Sequence, residues 1–314
     1  MSESALVIGA GVSGLTSAVC LVEAGFAVRI WAADPPRRTT SLVAGALWGP
    51  SFQQPMAKTL AWTETSLRDF RALAEDSATG VRMVPSLTVG ELPPGDPPPQ
   101  ALLIPELRPC PPAELPAGYP AGFRATMPLV DMPRYLDYLT ERLAGAGVEI
   151  EQRTVRTLDE ATAQAPLVVN CAGLGARELL GDASVRPIRG QHVIMSNPGL
   201  DQVFLELTEA PEWINIFPHP SRVVCGGNAV PDSTDTTVDD ELTERIVRRC
   251  RAIEPRLHDA EVIEVLVGLR PDRPVIRVEA HRAGDARVVH NYGHGGSGVS
   301  LSWGAAREVV ALAG

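Results

Sequence analysis

The first 31 residues constrain the fold of this chain more than any other segment. A short apolar run at residues 5–8 leads into a glycine-rich turn, a helix-like segment follows at 15–23, and a second apolar run occupies 27–31. The turn has the GxGxxG spacing, in which the first glycine permits a tight turn, the second lets a diphosphate approach, and the third lets helix pack on strand. The alternative is a tightly packed structural turn, but the order strand, turn, helix, strand favours dinucleotide binding. The predicted contacts are Gly9, Ala10, Gly11, Val12, Ser13 and Gly14.

A second glycine-rich turn lies near the end of the sequence. An apolar run at residues 287–289 feeds a segment with four glycines between positions 293 and 298, and an amphipathic stretch continues to Leu312. Glycine lets a backbone come close to a ligand, and the free N–H groups at a helix N-terminus favour anionic or electron-rich groups. This turn is therefore a second candidate for ligand contact.

The stretch from His290 to Gly304 resembles the C-terminal signature of the D-amino-acid oxidases, flavoproteins in which this turn lies under the flavin ring. The similarity extends over nearly the whole sequence. The resemblance implies that the dinucleotide is FAD and that both ends of the chain contribute to one FAD site. At the C-terminal turn it implies contacts from Gly293, Gly295, Gly296, Ser297, Gly298, Val299 and Ser300.

The resemblance also assigns the segment after the second strand to the cofactor. Residues 37–50 contain a hydroxyl run and small residues, which suit either a loop along a ligand or a surface loop that caps a helix. Similar segments of the family lie beside the flavin and its diphosphate, which favours the first interpretation. An acidic residue should bind the ribose, and Asp34 is the candidate, although alignment with the family places Ala33 there. The other implied contacts are Thr39, Thr40, Ser41, Gly45, Ala46, Leu47, Val155 and Ala172.

An arginine-rich strand pattern at residues 269–279 carries the candidate substrate contact. In a strand, Arg277 and Glu279 share one face, and a guanidinium on a rigid strand is suited to grip a carboxylate with two hydrogen bonds. From the residues alone, a surface salt bridge is the favoured interpretation. The stretch is similar to the family's Arg-Pro-x-Arg-Pro-x-x-Arg, which implies that Arg277 holds the substrate carboxylate and that Arg270 and Arg273 are structural.

Two positions depart from the family pattern near the expected substrate. Relatives usually have a tyrosine that shares the carboxylate where this sequence has Asn215, and many have an aromatic residue in place of Ser297. The carbonyl of Gly296 is expected to hold the substrate amine by analogy with the family. Trp213 either fills part of the lost volume or belongs to the core. These two departures mean that the substrate preference of the family does not transfer directly to this chain.

Composition limits the partners. The net charge of −10 argues against nucleic acid or an anionic membrane as a partner, and no apolar run reaches membrane-spanning length. The five cysteines and six histidines lack metal-ligand spacing, so no metal is predicted, and the cysteines suit core thiols in a reducing cytoplasm. A homodimer is compatible with this sequence.

The predicted fold is α/β. A Rossmann-type FAD-binding domain, discontinuous in sequence, comprises residues 1–50, 131–180 and 285–314. A mostly antiparallel β-sheet domain for the substrate is inserted as residues 51–130 and 181–284. The discontinuity follows from the resemblance, whereas the alternating patterns between positions 186 and 226 predict the sheet.

The resemblance implies FAD-dependent oxidative deamination of D-amino acids. Hydride passes from the substrate Cα to flavin N5, dioxygen is reduced to hydrogen peroxide, and the imino acid hydrolyses to a 2-oxo acid and ammonia. The protein then contributes orientation, and no catalytic side chain is predicted. Two alternatives stay open. One is oxidation of D-aspartate, D-glutamate, glycine or sarcosine on the same fold, and an acidic side chain would need a second buried cation. The other is a flavoprotein that has lost oxidase activity and acts as a sensor or scaffold.

Overall fold

The computed structural model describes residues 3–91 and 98–314. Fourteen strands of these residues form one continuous sheet, and seven α-helices pack around it. The strands are β1 (Ser4–Ile8), β2 (Ala27–Ala32), β3 (Val81–Gly90), β4 (Arg108–Pro109), β5 (Ala121–Val130), β6 (Ile150–Gln152), β7 (Leu167–Asn170), β8 (Arg186–Ser196), β9 (Val203–Leu207), β10 (Glu212–Pro218), β11 (Arg222–Asn228), β12 (Val230–Pro231), β13 (Val262–Ala283) and β14 (Ala286–His294). The helices are α1 (Val12–Glu23), α2 (Met56–Leu73), α3 (Met132–Gly145), α4 (Leu158–Thr162), α5 (Ala176–Leu180), α6 (Asp240–Ile253) and α7 (Gly298–Ala313).

One half of the sheet is parallel and contains the predicted Rossmann-type unit. Its strands lie in the order β14, β7, β1, β2, β6 and pair in parallel. After Ser4, β1 is apolar because both of its faces are covered: Leu6 lies in one core and Val7 in another. Because β1 ends at Ile8 and α1 begins at Val12, the first glycine turn lies at the carboxyl edge of the sheet, where α/β proteins bind ligands.

The other half of the sheet is mostly antiparallel. Its strands lie in the order β4, β5, β3, β9, β10, β11, β8, and the pair β3–β9 is parallel. Helix α6 packs on one face through Leu242, Ile246 and Cys250. The opposite face lines the cavity described below.

A single strand connects the two halves, where the sequence pattern predicts two. The prolines favour separate strands at 261–269 and 275–279, whereas β13 continues through both segments. It pairs with β8 as far as Asp272, and with β14 at Asp272 and again from Arg277, with a register shift between these two residues. Proline cannot donate a ladder hydrogen bond, and Pro274 lies in the shifted segment. The change of partner strand therefore accommodates the proline.

Other predicted elements shift by a few residues. The helix expected from Thr237 begins at Asp240, because the Asp239 side chain accepts the Leu242 N–H and caps it there. The strand expected at 148–150 lies at Ile150–Gln152. The proline-rich segment 93–120 was predicted to lack regular structure; its first residues, up to position 97, lie outside the described residues, and the rest contains only β4 and short 3₁₀ turns.

Helix α2 packs with the Rossmann-type half, although it falls within the predicted substrate domain. Trp62, Leu67 and Phe70 lie in the same core as α1, α3 and α7. Gly304 of α7 faces the α2 backbone so closely that a Cβ there would overlap Trp62. The spacing of apolar residues along the sequence predicts a helix here, but it does not show that the helix packs against α7.

Substitution of Gly304 with alanine is expected to destabilise the fold. The added methyl group has no space between α7 and α2, and overpacking of this kind costs about 1–3 kcal/mol of unfolding free energy. Thermal unfolding measures the effect. Gly145→Ala at the end of α3, where a Cβ meets open space, is the control and should stay within about 1 kcal/mol of wild type. Equal stability of both variants would contradict the close packing.

Candidate active site

The two halves of the sheet enclose a cavity of about 1620 Å³. Pockets for small ligands usually measure about 300–1,000 Å³, so this volume suits a dinucleotide together with a substrate. Its wall combines the N-terminus of α1, most of loop 38–50, segment 171–175, most of segment 291–300, and the cavity face of the antiparallel strands.

The three glycines of the first turn have different surroundings. Gly9 adopts φ +105°, and a Cβ there would lie 2.5 Å from the Cys171 carbonyl oxygen. A Cβ at Gly14 would overlap the Gly9 carbonyl, so both glycines permit close backbone packing. Gly11 instead lines the cavity, and its added Cβ would lie 3.1 Å from Ser41 Oγ. Only Gly11 of the three therefore adjoins ligand space.

The loop after β2 is tied to the start of α1 and to β13. The Val12 N–H donates to Ser41 Oγ over 2.9 Å, and Thr40 Oγ1 donates to the Leu269 carbonyl over 3.0 Å. These bonds hold the hydroxyl run against the cavity, as the resemblance implies. Asp34 lines the cavity, as does Arg38, a cation that sequence reasoning missed.

The second glycine turn lies on the other side of the same cavity. Gly295 has φ +52°, and a Cβ there would lie 2.7 Å from Asp272 Oδ1 and 2.9 Å from Gln53 Nε2. Helix α7 begins directly after this turn at Gly298, so its free N–H groups lie at the cavity wall. The Gly49 N–H donates to Ser300 Oγ over 3.2 Å, which joins the turn to loop 38–50.

Several buried polar atoms of the cavity wall have no hydrogen-bond partner among the described residues. One of these atoms is Nε2 of His294. Burial lowers the pKa of this histidine to about 4, so its ring is neutral at ordinary pH. Buried polar groups in native structures are nearly always paired, so these atoms indicate a missing ligand. Together with the N-termini of α1 and α7, they fit a large polar cofactor. The atoms are Trp48 Nε1, Thr88 Oγ1, Asn291 Oδ1 and His294 Nε2.

Arg277 lies outside the cavity wall. Its Nε donates to Glu279 Oε1 over 2.7 Å, and Nη1 donates to the Tyr292 hydroxyl over 2.7 Å. Tyr292 lines the cavity, whereas Arg277 does not. The geometry therefore does not support Arg277 as the carboxylate ligand, and that role stays a prediction that substitution of Arg270 and Arg277 tests. Strand alternation placed Arg277 and Glu279 on one face correctly, but it cannot show how far along β13 the cavity extends.

Arg270 is a partly buried arginine that lines the cavity. It lies over Gly190, where a Cβ would come within 2.6 Å of Cζ, and 5.9 Å from the ring centre of Trp213. Its Nη1 donates to the Asn228 carbonyl over 3.1 Å. Burial lowers the pKa of Arg270 below its ordinary value. Among the described residues, no carboxylate lies within salt-bridge distance of this guanidinium, so it retains donors for an anionic ligand.

The neighbouring residues of the arginine-rich stretch have different roles. Arg273 forms an ion pair with Asp182 over 3.0 Å, so it is structural, as predicted. Asn215 lines the cavity and is 1% exposed. Trp213 also lines the cavity, so its ring fills part of the pocket and does not belong to the core. Sequence reasoning missed the glycine at position 190, which makes room for Arg270.

Comparison with known proteins decides the family. Residues 4–312 match the family model described as FAD dependent oxidoreductase. The chain is 45% identical over 312 residues to a D-amino-acid oxidase from Rubrobacter xylanophilus. The alignment covers 99% of this chain and 95% of that protein. The chain belongs to the D-amino-acid oxidase family. A D-amino-acid oxidase from Streptomyces coelicolor is also 45% identical over 312 residues, and the alignment covers 98% of this chain and 96% of that protein.

The fold comparison agrees with this assignment. The crystal structure of glycine oxidase from Geobacillus kaustophilus matches with a TM-score of 0.81 at 18% identity, over 99% of this chain and 95% of that one. The α/β fold, the family resemblance and FAD as cofactor, all predicted from the sequence, are confirmed. Among the helices of the described residues, none is long and apolar enough to cross a membrane. The same residues contain no group of three potential metal ligands.

The predicted FAD contacts separate into two groups. Those that line the cavity are Gly11, Val12, Ser13, Ala33, Asp34, Thr39, Thr40, Ser41, Gly45, Ala46, Leu47, Ala172, Gly295, Gly296, Gly298, Val299 and Ser300. Those outside its lining are Gly9, Ala10, Gly14, Val155, Gly293 and Ser297. Gly9 and Gly14 shape the turn, and Val155 packs beside Leu6 and Trp31 in a separate core.

Proposed function

We propose that this chain catalyses FAD-dependent oxidative deamination of D-amino acids to 2-oxo acids, with release of ammonia and hydrogen peroxide. The observation that carries the proposal is Arg270: a partly buried guanidinium with free donors lies in the same cavity as both glycine turns. When bound, FAD accepts the hydride of the substrate Cα and passes the electrons to dioxygen. The substrates are therefore a D-amino acid and dioxygen.

The side chains of the cavity orient the substrate. Arg270 holds the α-carboxylate with two parallel hydrogen bonds, and the ring of Trp213 restrains the guanidinium. Asn215 and the carbonyl of Gly296 are the other proposed substrate contacts. A fixed carboxylate presents the Cα–H in one direction, which is the main contribution a protein makes to such a reaction.

The cofactor contacts follow from the two turns. The N-terminus of α1 lines the cavity at Gly11 and Val12, which supports a role in binding the diphosphate, and Asp34 in the same lining would bind the ribose. The N-terminus of α7, together with loop 38–50, would contact the flavin ring. The hydroxyls of Thr40 and Ser41 hold this loop in position.

The lining favours neutral D-amino acids over acidic ones. Beyond Asn215 the cavity continues along Leu205, Phe123 and Met127, which are apolar. An acidic side chain would need a second buried cation, but the other arginines that line the cavity, Arg38 and Arg108, are solvent-exposed. This length of apolar wall also exceeds what glycine or sarcosine would fill.

We further propose the two-domain division with one change to the predicted boundaries. The segments 1–50, 131–180 and 285–314 form the FAD-binding domain, and α2 joins them because it shares their core. The substrate domain keeps the remainder of 51–130 together with 181–284. A cytoplasmic location is supported by five cysteines that are buried and unpaired. A homodimer remains a prediction that light scattering tests.

A substrate panel tests the proposed function. Purified protein loaded with FAD should release peroxide with neutral D-amino acids such as D-alanine, D-methionine and D-leucine. It should release at least about tenfold less with D-aspartate, because a second buried carboxylate would lack a partner. The L-enantiomers serve as matched controls. Peroxide from D-aspartate alone would favour the acidic alternative, and no peroxide from any substrate would contradict oxidase activity.

A further inference from the structure

A threonine stands among apolar side chains on the cavity face of the antiparallel strands. Thr88 of β3 pairs with Phe123 of β5 and with Leu205 of β9. Leu205 in turn pairs with Asn215 of β10. Side chains of directly paired residues point to the same face of a sheet, and all four of these residues line the cavity. They therefore form one row across the sheet, with Thr88 two strands away from Asn215.

The neighbours of Thr88 along β3 fix its direction. Leu87 and Val89 are buried in the core that α6 covers. Because successive residues of a strand point to opposite faces, Thr88 points away from that core and toward the cavity. Ser86 shares the face of Thr88, but its hydroxyl donates to the Ala125 carbonyl over 3.1 Å, and it lies outside the cavity lining. Thr88 is therefore the hydroxyl of β3 that faces ligand space.

The Thr88 hydroxyl is buried without a partner. Thr88 is 1% exposed, and its Oγ1 makes no hydrogen bond to any of the described residues. Burial of an unpaired hydroxyl is unfavourable, and valine has the same shape without that cost. A threonine hydroxyl can both donate and accept a hydrogen bond. Position 88 is therefore suited to a ligand group that carries an N–H or a carbonyl oxygen.

We infer that Thr88 binds the end of the substrate side chain and selects neutral D-amino acids that end in an amide, such as D-glutamine. The inference rests on the proposed function, in which Arg270 and Asn215 bind the carboxylate. Neighbouring strands lie about 4.8 Å apart, so Thr88 and Asn215 are about 10 Å apart across the sheet. Extended glutamine measures about 6 Å from its carboxylate carbon to its amide oxygen, and a hydrogen bond adds about 3 Å. The two lengths together span this distance.

The order of the strands gives the direction in which the substrate lies. The Arg270 guanidinium lies over Gly190 of β8, which is on the far side of Asn215 from Thr88. A substrate whose carboxylate faces Arg270 can extend its side chain over Leu205 toward Thr88. The apolar wall then contacts the methylene groups, and the hydroxyl bonds the terminal group. D-Glutamate has the same length, but one neutral hydroxyl does not offset the desolvation of its second carboxylate.

Two pairs of substrates with matched shapes test the inference. D-Glutamine and D-homoleucine differ only in having an amide or a branched alkyl end, and D-asparagine and D-leucine are the same pair one methylene shorter. Thr88→Val removes the hydroxyl and keeps the shape, so kcat/KM for D-glutamine should fall about fivefold to tenfold, and that for D-homoleucine should change less than about twofold. The ratio of D-asparagine to D-leucine should change less than about twofold, because the shorter side chain does not reach Thr88. Peroxide release from FAD-loaded protein measures each rate.

Three controls separate side-chain recognition from general disruption. Thr88→Ser keeps Oγ and should restore most of the D-glutamine activity. Ser86→Ala removes a hydroxyl of the same strand that already has a backbone partner, and it should leave the ratio of D-glutamine to D-homoleucine unchanged. Without substrate, FAD-loaded Thr88→Val should unfold at a temperature no lower than wild type, because valine replaces an unpaired buried hydroxyl. A clearly lower Tm would show that the hydroxyl is bonded within the fold and would overturn the inference.

The remaining outcomes distinguish the side-chain contact from the proposed function. An unchanged ratio of D-glutamine to D-homoleucine in Thr88→Val, or equal losses for both, would overturn the role of Thr88, as would wild-type protein that oxidises D-homoleucine but not D-glutamine. Peroxide release by wild type from D-homoleucine or D-leucine would still support the proposed function. If Thr88→Val does not bind FAD, Thr88→Ala with the same four substrates decides. No peroxide from any D-amino acid with wild type would overturn both.

Discussion

Replacing Arg270 with leucine should leave FAD bound and lower kcat/KM for D-amino acids at least about a hundredfold. The loss of charge-assisted hydrogen bonds to a desolvated carboxylate costs about 3 kcal/mol or more of transition-state stabilisation. The atoms that lie over Gly190 belong to the guanidinium, so leucine removes the donors there and keeps only the inner part of the side chain. Steady-state peroxide release measures the rate, and the flavin spectrum verifies that the cofactor remains.

Arg277→Leu is the matched control, because both arginines lie on β13. Arg277 itself does not line the cavity and is bonded to Glu279 and to Tyr292, so kcat/KM should stay within about threefold of wild type. The opposite ranking, with Arg277→Leu the more damaging of the two variants, would restore Arg277 as the carboxylate ligand and remove Arg270 from the site.

Gly11→Val is expected to abolish FAD binding. The side chain would stand at the N-terminus of α1, in the space that the diphosphate needs, and it would also press on Ser41 Oγ, 3.1 Å from the new Cβ. The purified variant should contain less than about one tenth of the wild-type flavin, even after incubation with added FAD. Absorbance of the protein after gel filtration measures the content.

Loss of flavin through misfolding must be separated from loss of the site. Gly145→Val, at the exposed end of α3, introduces the same side chain where a Cβ meets open space and should retain full flavin content. Far-ultraviolet circular dichroism compares the secondary structure of both variants with wild type. A folded Gly11→Val protein that binds FAD with unchanged affinity would show that the diphosphate lies elsewhere.

Local patterns predicted the Rossmann-type unit well. The strand at residues 5–8 and the second strand at 27–31 were predicted within one residue of the observed bounds. The glycine spacing has a local cause, since Gly9 and Gly14 pack against backbone within the same unit and against the adjacent strand end at Cys171. Short-range geometry of this kind is contained in the order of residues.

Which arginine of β13 lines the cavity depended on tertiary structure. The resemblance pointed to Arg277, and alternation along a strand assigns residues to faces without showing how far along the strand a cavity extends. β13 pairs with β8 as far as Asp272 and with β14 at Asp272 and again from Arg277, and Gly268, Arg270 and Pro271 of its first part line the cavity. No local signal marks this change of partner strand.

The sequence by itself determined the family, the cofactor and the two glycine turns that line the cavity, because each depends on a short run of neighbouring residues. Only the tertiary structure placed Asn215 beside His192, two strands away, with Gly226 between them. That arrangement depends on the register of three strands that are joined by separate loops. Register is set when the whole sheet buries its apolar face, so it cannot be derived from any one of the strands.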